Sequence, residues 1–173
     1  MSKKTTAYSR RRRHVDTPRQ FSLARELMAS PTEPMPRDKR ERQLLAMWSG
    51  LSALEVSASP TNDDWRVVSD AVNLMETLVE MGECEDASGL LVDAVVAMGA
   101  AGQRSMQGQT LRLDGRGIQT VRAVLEDYAA VLEALPERAM VRAHRLTELR
   151  IINILARHRS NGVHVVDLQE GAP

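Results

Sequence analysis

TNDDWRVVSDAVNLMETLVEM, which spans Thr61 to Met81, is the stretch that decides the fold. Thr61 is a good N-cap residue, and Asp64, three positions later, completes a capping box. Apolar side chains recur in two neighbouring rows at helical spacing: Trp65, Val68, Val72, Met75 and Val79, and beside them Val67, Ala71, Leu74, Leu78 and Met81. This face is wider than the ~100° stripe of an ordinary surface helix. The pattern therefore predicts the central helix of a bundle.

The other face of this predicted helix is acidic. It carries four carboxylates that are our candidate contacts for a protein partner: Asp63, Asp70, Glu76 and Glu80. The 173-residue chain has a net charge of zero, yet residues 1–42 contain 12 Lys/Arg and 5 Asp/Glu, whereas residues 43–100 contain 1 and 10. This asymmetry indicates a basic arm attached to an acidic body. The arm either binds nucleic acid or lies against the acidic part of its own chain or of a second copy.

Arginine side chains form a second candidate surface, for nucleic acid. One run lies near the N-terminus and a second set shares one face of a helix predicted near 137–159: Arg10, Arg11, Arg12 and Arg13, then Arg138, Arg142 and Arg145. Such clusters can neutralise phosphates, although a solvated tail and a solvated helix face produce the same pattern. No helix-turn-helix with a recognition helix is identifiable, so a nucleic-acid-binding regulator is the second interpretation. A DNA mimic is the third, because it needs a dominant negative charge that this chain lacks.

Composition argues against several other classes of function. Aromatic residues make up 3% of the chain, which disfavours a base-stacking platform. The one cysteine, Cys84, excludes an internal disulfide and a Cys-based zinc site. His144 and His158 would lie about 21 Å apart on one helix, too far to share a metal ion. No catalytic or cofactor motif is recognisable, so we expect a protein that is not an enzyme, needs no cofactor or metal, and acts by contact.

Apolar runs are short throughout the chain. None approaches the ~18 residues of a membrane span, and no apolar segment follows the basic N-terminus as it would in a signal peptide. We therefore expect a cytoplasmic protein that does not associate with membranes. Its partners would be a protein or a second copy of itself, with nucleic acid as the alternative.

Proline, glycine and capping residues divide the chain into predicted units. Residues 1–16 form a disordered basic arm, and residues 17–36 form a short helix and a Pro-rich linker. Residues 37–160 form the helical bundle domain, and residues 161–173 form a short strand and the C-terminal tail. The expected fold is a mainly α single-domain bundle of five or six helices. Predicted helices lie near residues 18–29, 38–58, 61–81, 83–98, 116–135 and 137–159.

Several positions carry more specific expectations. Gly50 is expected where two helices make close contact, and Leu45 and Val56 are expected on a core face. Asp114 is expected to cap the helix that begins near residue 116. A further set of acidic residues is expected in the first turn of the fourth helix, where they would complement the helix dipole: Glu83, Glu85 and Asp86. The segments 111–113 and 163–166 are candidate strands of a two-stranded ribbon.

Two segments carry a resemblance to a known group. NDDWRVVSDAVNLMETLVEMG, from Asn62 to Gly82, and LRLDGRGIQTVRAVLEDYAAVLEAL, from Leu111 to Leu135, resemble uncharacterised small accessory proteins of bacteriophages and mobile elements. The shared order of basic tail, helices, short extended piece and helix adds to this resemblance. It implies a bacterial cytoplasmic setting and a dispensable, host-modulating role. It implies no functional residue, because no activity is established for the group.

Overall fold

A computed structural model describes residues 21–160, and the side chains of residues 21–156. Six helices follow one another in this part of the chain: α1 (Leu23–Met28), α2 (Arg37–Val56), α3 (Asn62–Glu80), α4 (Leu91–Met106), α5 (Gly115–Ala134) and α6 (Glu137–Ser160). The predicted mainly α-helical bundle is confirmed for the described residues. The predicted basic arm (1–16) and the predicted strand and tail (161–173) lie outside them. None of the helices within 21–160 is long and apolar enough to cross a membrane.

Helix α3 is the central helix, as its double apolar row predicts. It packs against α2, α4, α5 and α6. The capping box at its start is complete: the Thr61 hydroxyl accepts from the Asp64 N–H at 3.1 Å, and the Asp64 carboxylate accepts from the Thr61 N–H at 2.8 Å. The hydrogen bond from the Thr61 hydroxyl, followed by the one from its backbone, lowers the pKa of Asp64. The boundary predicted from these residues is therefore confirmed.

The core surrounds α3 and takes buried side chains from α2, α4, α5 and α6. Tyr128 of α5 is fully buried, and its hydroxyl oxygen accepts from Gln43 Nε2 of α2 at 2.5 Å. Gly50 lies where α2 crosses α3, because a Cβ at this position would lie 2.8 Å from the carbonyl oxygen of Asp64 and 3.2 Å from Val68 Cγ2. The expected close contact at Gly50 is thus confirmed. Only a residue without a side chain lets the two helices approach this closely.

The start of the fourth helix differs from the prediction. Helix α4 begins at Leu91, so Glu83, Glu85 and Asp86 lie in the preceding loop rather than in a first turn. Asp86 instead fixes this loop, because its carboxylate accepts from the N–H groups of Gly89 and Leu91, both at 3.1 Å. An acidic residue that bonds to backbone N–H groups in this way stabilises a turn in competition with a helix.

The predicted ribbon is not formed within the described residues, which contain no strand. Residues 111–113 bond instead to the end of α2: the Leu113 N–H donates to Leu54 O at 3.4 Å, and the Arg112 guanidinium donates to Glu55 O at 3.0 Å. Leu111 and Leu113 are buried, so this segment closes one end of the core. The second candidate strand, 163–166, lies outside the described residues.

Two expected core residues are exposed. Leu45 is 73% exposed and Val56 is 70% exposed, whereas Met47, Leu51 and Leu54 of the same helix are buried. Among the described residues α2 packs chiefly against α3 and α5, so its buried stripe is narrower than its run of apolar residues. The expected cap of α5 is confirmed, because the Asp114 carboxylate accepts from the Gly117 N–H at 2.6 Å.

Candidate protein-binding surface

The four carboxylates predicted to contact a partner fall into two groups along α3. Near its start, Asp63 pairs with Arg66 at 3.3 Å, and both side chains are well exposed. Asp70, in the middle, has no ion pair among the described residues. Part of its side chain is exposed, yet neighbouring groups displace water from the carboxyl and raise its pKa, against the opposing effect of Arg66. These two carboxylates therefore leave a negative surface on the first half of α3.

The other two carboxylates are paired with α6. The Arg150 guanidinium donates through separate nitrogens to Glu76 and to Glu80. Because these glutamates are four residues apart on α3, both carboxylates point to the same side of the helix and a single arginine can reach both. Glu76 retains 34% exposure and Glu80 retains 58%. The acidic face is thus partly neutralised by the last helix of the same domain.

Helices α3 and α6 run side by side in the same direction here. The hydroxyls of Thr77 and Thr147 lie 2.7 Å apart and are buried, and three residues further along each helix Glu80 meets Arg150. Each hydroxyl also donates to a carbonyl one turn back in its own helix, Asn73 O and Ala143 O, both at 3.0 Å. The contact between the two hydroxyls favours this register of the helices, because a shift would lose it.

An open groove of about 570 Å³ lies between the end of α3 and α6. Its lining combines apolar side chains with polar groups at the margin: Thr77, Glu80, Met81, Leu146, Leu149, Arg150, Asn153 and Ile154. Glu80, one of the four predicted contacts, therefore lies at the edge of an apolar groove. The Arg150 contacts form the charged rim of the same site.

Helix α6 continues past the end of α3. Since Glu80 is already level with Arg150, the following residues of α6 extend beyond their neighbour. Ile151 is 40% exposed, and Ile152 and Ile154 are each 45% exposed. Ile154 lines the groove and Ile151 lies on the adjoining side of α6, whereas Ile152 is turned about 160° away from Ile154. We call Ile151 and Ile154 together with the groove the α6 surface. Contiguous apolar surface with a polar rim is typical of sites where proteins bind one another.

The arginines predicted to contact nucleic acid are placed differently from one another. Arg138 donates to Ala29 O at 3.1 Å, and Arg145 pairs with Glu26 at 2.7 Å, so both hold α1 against α6. Arg142 is exposed and has no ion pair among the described residues. The run at positions 10–13 lies outside the described residues, so nucleic-acid binding stays a prediction.

Aromatic stacking completes the attachment of α1. The rings of Phe21 and His144 lie 4.2 Å apart and nearly parallel, and the Arg25 guanidinium lies 4.6 Å from the Phe21 ring centre. Burial, assisted by the charge of Arg25, lowers the pKa of His144 to about 4. His144 is therefore neutral near pH 7 and serves as a stacking surface for the segment that leads into α1.

Sequence reasoning missed the parts of this surface that depend on helix packing. Arg150 was assigned no role, and Leu146 and Ile154 were not distinguished from other residues of the last helix. Their signal in the sequence is the apolar content of the second half of α6. Among the residues whose side chains are described, no group of three or more His, Cys, Asp and Glu residues could hold a metal ion. No family model, curated protein or solved structure matches this chain.

Proposed function

We propose that this chain is a non-enzymatic interaction protein that acts by protein–protein contact in the bacterial cytoplasm. We further propose that a bacteriophage or mobile element encodes it. The origin and the cytoplasmic setting rest on the resemblance of the segments Asn62 to Gly82 and Leu111 to Leu135 to phage accessory proteins. The mode of action rests on the surface chemistry of α3 and α6.

The observation that carries this proposal is the α6 surface. Ile154, which is 45% exposed, lines a groove of about 570 Å³, and Ile151, which is 40% exposed, lies on the adjoining side of a helix that extends past its neighbour. Burial of apolar surface contributes roughly 25 cal/mol of favourable free energy for each Å² removed from water, so a partner that covers this surface is stabilised on it. Single exposed apolar residues are ordinary, whereas exposed apolar side chains that continue the lining of a groove favour a binding site.

Charge on the same side of the molecule defines the partner's chemistry. At the groove, Glu76 and Glu80 share a single arginine, Arg150, so the rim keeps a net negative charge. A partner that fits would present an apolar ridge for the groove and basic side chains for Glu80 and Asp70. Such pairing at a rim chiefly affects the association rate and its dependence on salt.

Capture of proteins from a lysate of the native host tests this proposal. Ile154→Glu places a charge in the groove, whereas Leu45→Glu places the same charge at a position on α2 that is 73% exposed. We expect the unchanged chain and Leu45→Glu to retain the same host protein, and Ile154→Glu to lose it. Circular dichroism would first establish that both variants are as helical as the original. Equal retention by all three chains, or retention of no protein by any of them, would contradict the proposal.

Nucleic-acid binding is the second candidate function, and the exposure of Arg142 is the observation that favours it. With Arg138 and Arg145 engaged by α1, this helix offers fewer free cations for phosphate than its sequence indicates. The run at positions 10–13 would then provide most of the contacts. Binding of this kind would weaken steeply with salt.

A further inference from the structure

Helix α4 carries an uncharged outer face that no other helix of the described domain covers. Five residues along it step by four, three, four and three positions: Val92, Val96, Gly99, Gln103 and Met106. Val92 is 75% exposed, Val96 is 64% exposed and Met106 is 59% exposed. Spacing that averages 3.5 residues keeps one face of a helix against a second helix along its whole length. We call these five residues the α4 seam.

Gly99, at the centre of the seam, has no packing role among the described residues. A Cβ at this position would meet no atom within 4 Å, whereas Gly102, on the inner side of α4, would place one 3.2 Å from the Trp65 ring. A glycine within an exposed helix costs about 1 kcal/mol relative to alanine. Its absent side chain would instead let another helix approach α4 closely.

The arrangement of the seam matches a second copy of itself in the antiparallel direction. Val92 and Met106 each lie seven positions from Gly99, so a two-fold axis at Gly99 places Val92 of one copy opposite Met106 of the other. Val96, three positions before Gly99, then lies within one residue of Gln103, four positions after it, and the two glycines meet where the helices are closest. A two-fold interface needs this kind of self-complementary surface.

Charges near the two ends of the seam favour the same direction. The N-terminal end of α4 carries Asp93, with exposed Glu85 in the loop before it, whereas Arg104 and Arg112 lie at and after its C-terminal end. Asp93 already pairs with Arg116 of α5 at 3.5 Å, and both side chains remain more than half exposed. Antiparallel copies would bring Arg104 of each within reach of Asp93 of the other. Parallel copies would instead place like charges together.

We propose that the α4 seam is the interface of an antiparallel homodimer, with α4 of one copy packed on α4 of another across Gly99. This inference rests on the proposed function, in that it names a second copy of the chain as one partner. It uses a different helix from the α6 surface, so the two proposals can fail separately. A contact of one helix from each copy is small, which places the dimer in the weak, concentration-dependent range.

Sedimentation velocity of the full chain over a range of concentrations tests the dimer. We expect a monomer–dimer equilibrium that Val96→Glu weakens about tenfold or more, because it places two like charges within the seam. Leu45→Glu, a matched change at an equally exposed site on α2, should leave the equilibrium unchanged, as should Ile154→Glu on α6. A chain that stays monomeric up to about 100 μM, or a dimer that Val96→Glu does not weaken, would overturn the proposal.

Cysteine cross-linking tests the direction of the helices. In a Cys84→Ser background, Gly99→Cys should form a disulfide-linked dimer with itself under mild oxidation. A mixture of Val92→Cys and Met106→Cys chains should cross-link to each other, and neither should cross-link efficiently to itself. Efficient self-linking of Val92→Cys would show a parallel arrangement and overturn the antiparallel dimer. Loss of the α6 partner in the capture experiment would leave all of these results unaffected.

Discussion

Replacing Gly50 with alanine sets helix propensity against helix packing. The added methyl carbon would lie 2.8 Å from the Asp64 carbonyl oxygen, which belongs to the backbone of α3 and cannot rotate away, and 3.2 Å from Val68 Cγ2. Alanine gains about 1 kcal/mol over glycine within a helix. Overpacking of a close contact costs about 1–3 kcal/mol, because α2 and α3 must move apart. The difference is a loss of roughly 0 to 2 kcal/mol of stability, and we expect the upper half of this range because the 2.8 Å contact is with the backbone.

The matched control is Gly99→Ala, in which the same methyl group meets no atom within 4 Å. It should raise the free energy of unfolding by up to about 1 kcal/mol, since only the propensity gain applies. Urea unfolding followed by far-ultraviolet circular dichroism measures both changes, at a dilution where the chain is monomeric. A Gly50→Ala chain at least as stable as the original would refute the close crossing of α2 and α3. So would equal effects of the two substitutions.

Three other predictions concern pH, a buried hydroxyl pair and nucleic acid. The His144 pKa falls from 6.5 to about 4 on folding, so the unfolded chain binds more protons between these values. The free energy of unfolding should therefore keep its full value above about pH 6.5 and fall by roughly 3 kcal/mol as the pH drops from 6.5 to 4. His144→Gln should flatten this profile in urea titrations at successive pH values. Thr147→Val should lower the free energy of unfolding by about 1 kcal/mol. Adding Thr77→Val should lower it little further, because both partners of the buried pair are then gone. Additive losses in the double-mutant cycle would contradict this coupling. If the chain binds nucleic acid, fluorescence anisotropy should detect binding to random duplex DNA. This binding should weaken steeply with salt and disappear on deletion of residues 1–16. Absence of binding at low salt would exclude this function.

Helix boundaries governed by local chemistry could be predicted from sequence. Thr61 and Asp64 satisfy one another within four residues, so the start of α3 required no knowledge of the remaining chain. Asp114 capped α5 for the same reason. The predicted start of α4 was wrong because an acidic residue is favourable both in the first turn of a helix and in a loop where its side chain bonds to backbone N–H groups. Asp86 stabilises the loop by accepting from the N–H groups of Gly89 and Leu91. The sequence alone does not distinguish this role from an interaction with the helix dipole.

Parts of the candidate surface that depend on packing could not be predicted. Periodicity placed Glu76 and Glu80 on one side of α3, but it could not show that Arg150, seventy or more positions away, would lie beside them. The exposure of Leu45 was missed because an apolar residue at the edge of a stripe is buried only if a neighbouring helix reaches it. For the same reason, the sequence did not predict that α6 extends past α3.

Amide hydrogen exchange of the purified chain, alone and with the protein it captures, tests the central claim most directly. That claim is that the partner binds the α6 surface. Exchange should slow in residues 146–156 of α6 and near Met81 when the partner is present, while residues 44–48 of α2 keep their rates. Unchanged exchange along 146–156, with slowing confined to another face of the domain, would contradict the claim.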